Sequence, residues 1–204
     1  MALSKINTAS LAADSVDNTI LDLTDNYAFT GTISGAGSMA LVHSETATSG
    51  SSFEWTGAST DYDQYLVYFN IDPSADASLS LRVYDNAGTP ALKTGASDYG
   101  HGGINEGGGS AHNSNLADLI RIHSGAGGAS ADEFMTGHFF FLNPMNSSFF
   151  TSLSGCVNAD NTSSLHIVQW FAGQRLAAEE NKGFSLYLST GTFTSASIKI
   201  FGMG

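Results

Sequence analysis

The sequence predicts an all-β fold: a jelly-roll-like two-sheet sandwich over residues 35–204, preceded by an extended N-terminal arm over residues 1–34. Three observations carry this. Apolar residues recur at period two in about ten short segments, the spacing that turns one face of a strand inward. Gly, Asn and Ser punctuate those segments at short intervals, as in sandwiches and barrels. Only QRLAAEE, Gln174–Glu180, has a helical pattern, and it is long enough for a turn or two.

The arm differs from the rest of the chain. Ile6, Leu11, Val16, Ile20, Leu21 and Leu23 are scattered among Asn, Thr, Ser and Asp at neither helical nor strand spacing. Alone such a segment buries too little apolar surface to offset its ordering entropy. Ile6, Leu11, Val16, Ile20 and Leu23 are therefore the expected partner-binding residues, and a cyclic homotrimer lets three arms share one interior. Tyr27, Phe29 and Ile33 suggest a first strand, with further strands at Met39–His43 and Phe53–Thr56.

The clearest stretch is Asp61–Asp85. Tyr65, Val67, Phe69 and Ile71 share one face, and Leu66 and Tyr68 the other, so this strand belongs inside a sheet. Asp72-Pro73-Ser74-Ala75-Asp76 has turn chemistry, because proline presets the turn angle and aspartate bonds its own backbone. Leu79, Leu81 and Val83 then point inward, with Ser80 and Arg82 toward water. The two strands read as a β-hairpin. Lys93–Leu116 follows as a long glycine-rich loop, with the functional bias that long loops carry. Strands are expected at Leu119–His123, Phe134–Leu142, Ser148–Leu153, Leu165–Phe171, Phe184–Leu188 and Ser197–Phe201.

Composition narrows the function. Charged residues are 13% of the 204, about half the usual roughly 25%. The net charge is −12 and the seven Lys and Arg form no cluster. Phosphate backbones need concentrated positive charge, so no nucleic-acid partner is expected, and anionic membranes are disfavoured alike. Cys156 is the only cysteine, which excludes an intramolecular disulfide and a cysteine zinc site and reads as a buried structural thiol. The N-terminus lacks the apolar core of a secretory signal and no transmembrane run occurs, so membrane insertion is not expected and synthesis is cytoplasmic.

Candidate chemistry is sparse. Asp98, His101, Glu106 and His112 share the long loop, but their order matches no metal-ligand spacing. Asp61, Asp63, Asp72, Asp76 and Asp85 sit near strand ends, where structural calcium and ordinary turn formation compete as readings. No other cofactor is implied. There is no G-x-S-x-G nucleophile elbow, Gly125–Ser130 reads as a turn, and Glu179 and Glu180 diverge rather than pair. No catalytic residue is assigned. The runs Phe139–Phe141 and Phe149–Phe150 read as core, with a sugar-stacking platform as the alternative.

Two regions resemble a known group. Leu11-Ala12-Ala13-Asp14-Ser15-Val16-Asp17-Asn18-Thr19-Ile20-Leu21-Asp22-Leu23, followed by Tyr27–Gly35, resembles the start of tail-fibre and other virion proteins of marine tailed bacteriophages. Tyr65–Phe69, Leu79–Asp85, Leu119–Gly125 and Ser197–Gly202 resemble a β-sandwich module at the ends of such proteins. The resemblance implies a non-enzymatic, often trimeric virion protein with no catalytic residues to carry over. Its arm would bind other virion proteins, and a host surface glycan is a candidate partner. Tail fibre or host adhesion is the first expectation, capsid decoration the second, and a carbohydrate-active enzyme the third. The chain is short for a long tail fibre.

Overall fold

The computed structural model describes residues 39–106, 111–127, 133–160 and 166–204, all within the unit Gly37–Gly204. The arm, with Ile6, Leu11, Val16, Ile20 and Leu23, and the strand expected at Tyr27–Ile33 lie outside the described residues.

Period-two alternation becomes twelve strands among the described residues, and no helix. They are β1 (Met39–Ala47), β2 (Ser52–Trp55), β3 (Gln64–Pro73), β4 (Ala77–Asp85), β5 (Tyr99–Glu106) and β6 (Ala111–Ala117). β7 (Ile120–Gly127), β8 (Met135–Leu142), β9 (Ser152–Asp160), β10 (His166–Arg175), β11 (Asn181–Leu188) and β12 (Phe193–Met203) complete the set. An eight-stranded sheet has the order β1-β12-β3-β8-β9-β10-β5-β6, and a four-stranded sheet the order β2-β11-β4-β7. Every pairing is antiparallel. The two sheets pack face to face as a sandwich around one core.

Leu79, Leu81, Val83, Phe184, Leu186, Leu188, Ile198 and Ile200 are all buried, as the alternation predicts. The centre of the core is aromatic. Trp55 and Phe184 from the small sheet meet Tyr65, Phe139 and Phe141 from the large one. Ring centroids lie 4.9 Å apart for Trp55–Tyr65, 5.4 Å for Phe139–Phe184 and 5.5 Å for Phe141–Phe184, all edge-to-face. That is the geometry aromatic quadrupoles favour.

Five local expectations are corrected. The β3–β4 hairpin does not form. β3 is hydrogen-bonded by β12 and β8 on its two edges, which leaves no edge for β4, and β4 lies between β11 and β7. Asp72–Asp76 turns the chain from one sheet to the other, so Val67 and Leu81 serve one core from opposite layers. This corner is tied down by the Ser74 N–H on the Thr192 carbonyl at 2.8 Å and the Thr192 N–H on Ser74 Oγ at 2.9 Å. Second, Lys93–Leu116 is not an unstructured loop, because β5 and β6 pair within it. Glycine hid the alternation there. A Cβ on Gly103 would stand 2.6 Å from the Trp170 carbonyl oxygen, so close strand approach demands glycine.

Third, Gln174–Glu180 is not helical. Gln174 and Arg175 finish β10. The nearly buried Arg175 guanidinium is fixed by Asp98 at 2.8 Å and Glu179 at 3.0 Å, so the four-residue spacing serves a bend instead. Fourth, Ser148–Thr151 is irregular and β9 starts only at Ser152. Fifth, Ser80, expected toward water, is 3% exposed.

Replacing Phe184 with alanine should cost about 3–5 kcal/mol, the usual range for a buried phenylalanine. Urea unfolding of the pure variant checks this, and a loss under about 1 kcal/mol would mean that Phe184 is not central to the core.

Candidate functional site

Once Phe139 and Phe141 turn inward, Phe140 must point out of the large sheet. Register then sets its neighbours. Leu66, Phe140, Ser154, Ala172 and Gly102 are successive cross-strand partners on β3, β8, β9, β10 and β5. Tyr68, His138, Cys156, Trp170 and Ile104 form the adjacent row. The small residues Ser154, Ala172 and Gly102, set among larger neighbours in both rows, make a groove. Its volume is about 510 Å³, with Ser154, Ala172 and Gly102 beneath and Phe140, His138, Trp170 and Ile104 around it. Trp170 is 54% exposed and Ile104 58%. Gly155 lets the strands close under it, since a Cβ there would stand 2.2 Å from the His138 carbonyl oxygen.

A second depression of about 330 Å³ adjoins the first through Ala172; Ser152, Asn115 and Gln174 line it together with His101, Leu153, Gly100 and Gly173. One face thus joins an aromatic half to a more polar, mixed half that carries one hydroxyl and two amide side chains. Among the described residues, no Asp, Glu, Lys or Arg lines either half.

The expected site residues separate accordingly. Phe139 and Phe141 are core, as read, whereas Phe140 lines the groove. Phe149 and Phe150 are exposed but do not line the groove. Cys156 is half-buried on the outer face between its register partners His138 and Trp170, not buried in the core. Asp98 is taken by Arg175. Asp85 receives the Ala91 N–H and Lys93 Nζ, at 2.9 Å and 3.0 Å, and these hold its carboxyl below the usual range. Among the described residues no three His, Cys, Asp or Glu side chains converge to hold a metal. Gly125–Gly127, read as a turn, ends β7, while 128–130 lie outside the described residues.

Sequence reasoning passed over Trp170 and Gln174. The available signal was Trp170 next to Phe171, two large aromatics on opposite faces of one strand. It grouped His101 and His112 as metal candidates but passed over the polar cluster that they form with Gln169. His101 Nδ1 donates to the Leu119 carbonyl at 3.1 Å, and the His101 and His112 ring centroids are 5.8 Å apart. The buried Gln169 accepts the Ser124 N–H on Oε1 at 3.0 Å. Its amide nitrogen therefore faces His112 Nε2, 3.3 Å away, which makes that nitrogen an acceptor and the ring neutral. Burial, then the neighbouring His112, pushes His101 below its ordinary value of 6.5, and burial, then Arg121, does the same to His112.

No protein-family model matches the chain, nor does any curated protein or solved structure. What fold and site define is an antiparallel β-sandwich with an uncharged, aromatic-walled groove on its broad outer face.

Because both histidines titrate lower in the folded chain than in the unfolded one, the unfolded state takes up more protons as pH falls below about 6.5, and stability falls with it. Thermal melts from pH 7.5 to 5 should show this decline. The double variant His101→Gln, His112→Gln should flatten part of it, and an unchanged slope would remove the pair as its source.

Proposed function

We propose that this protein is a non-enzymatic structural protein of a tailed-phage particle, of the host-adhesion type. Residues 1–34 anchor it to other virion proteins and associate as a homotrimer, and the sandwich presents its broad face to the host surface. The observation that carries this reading is the exposed groove around Trp170 and Phe140, since exposed aromatic concavities mark interaction sites. Its lining favours binding over cleavage. Glycoside hydrolysis uses two carboxylates about 5–10 Å apart, and the described groove residues include none.

Capsid decoration is the second reading. It is favoured by the width of the eight-stranded sheet and by exposed Met39, Leu41 and Val42 on its edge strand β1. Such an edge suits contact with another subunit.

The full chain should elute with trimer mass in light scattering, and a truncation starting at Gly35 should fold yet stay off purified particles. Recombinant protein should also compete with particles for adsorption to host cells. Particles that carry the truncated protein at normal occupancy would remove the arm as anchor. Particles that never contain the full chain would overturn the virion assignment.

A further inference from the structure

We infer that the two joined depressions form one binding site for an uncharged, pyranose-containing oligosaccharide. This rests on the adhesion reading for its biological setting, and on the geometry of the face for its chemistry.

A pyranose has two kinds of surface: a flat face of C–H groups and a rim of hydroxyls. The site offers a matching pair. On one side the Trp170 indole, more than half exposed, stands beside a floor of Ser154, Ala172 and Gly102, which leaves open space next to the ring. A C–H face covers that aromatic surface and removes it from water. On the other side Ser152, Gln174 and Asn115 supply hydroxyl and amide groups that both donate and accept hydrogen bonds. Sugar hydroxyls need that dual capacity.

Charge selects within the class. A sialylated, sulfated or uronic-acid glycan would bring carboxylate or sulfate to a surface with no lining Lys or Arg, on a chain of net charge −12. Desolvating an anion without a partner is costly. A cationic sugar would find no carboxylate in the lining either. Among glycans, an uncharged one leaves no charge unpaired. A purely apolar chain would suit the Trp170 half and strand the amides of the other.

Titration calorimetry of the full chain tests this with di- and tetrasaccharides of glucose, galactose, mannose and N-acetylglucosamine, against their sialylated and sulfated counterparts. At least one uncharged saccharide should bind, with a change in tryptophan fluorescence. Trp170→Ala should weaken it at least about tenfold, about 1.4 kcal/mol, and Trp170→Tyr should restore part of the affinity. Gln174→Ala should weaken it about threefold or more, the scale of one hydrogen bond. Both positions are exposed, so urea midpoints should hold, which separates lost binding from lost fold. Binding of none of the uncharged saccharides, tighter binding of the charged ones, or full affinity in Trp170→Ala overturns the inference. Failure to bind saccharide, on particles that carry the protein and lose adsorption with Trp170→Ala, would defeat the ligand class and spare the adhesion reading. Saccharide binding by a protein absent from particles would do the reverse.

Discussion

The edge-to-face packing of Phe184 against Phe139 and Phe141 is the contact on which the rest of this structure depends. It joins the small sheet to the large one at their centres. It also fixes the parity of β8, because a strand that turns residues 139 and 141 inward must turn 140 outward. A slip of one residue would exchange the faces of the whole strand. Register carries that parity outward. β9 pairs with β8 and β10 with β9, so Phe171 falls inside and Trp170 outside. The groove is thus the outer consequence of how the core is filled.

Small residues give that face its concavity. Gly102, Ser154 and Ala172 lie in one row across three strands, and Gly103 and Gly155 let backbones approach where a Cβ would collide. The composition that makes the chain rich in Gly and Ser and poor in charge therefore has a structural use. It lowers the floor between large side chains, and it leaves the surface around them uncharged. The opposite device appears where charge is needed. Arg175, nearly buried, is held by Asp98 and Glu179 and pins the end of β10 against the start of β5. A buried guanidinium without such partners would be strongly destabilising.

Period two was legible wherever both parities carried ordinary side chains. Leu79, Leu81 and Val83, then Phe184, Leu186 and Leu188, were readable as inward-facing from spacing alone. Pairing was not. Asp72–Asp76 has the chemistry of a turn, but turn residues specify a reversal of the chain and not whether the flanking strands bond edge to edge or stack across a core. The identity of the neighbours of β3, far away in sequence at β8 and β12, decided that. β5 was invisible because glycine carries no hydrophobicity to alternate. The groove was half legible. Three phenylalanines in a row imply that at least one faces outward, but its partners Trp170, Gln174 and Ile104 come together only through register. His101 and His112 were legible as neighbours in one segment, but their link to Gln169, which reaches His112 from a different strand, was not.

The central claim is that one aromatic run is divided between the core and the outer groove, and a matched pair of truncations tests it most directly. Urea unfolding of Phe139→Ala and Phe140→Ala should differ sharply, with a loss of about 3–5 kcal/mol for the first and under about 1 kcal/mol for the second. Comparable losses in both variants would contradict the account, because they would place Phe140 in a core and remove the groove from the outer face.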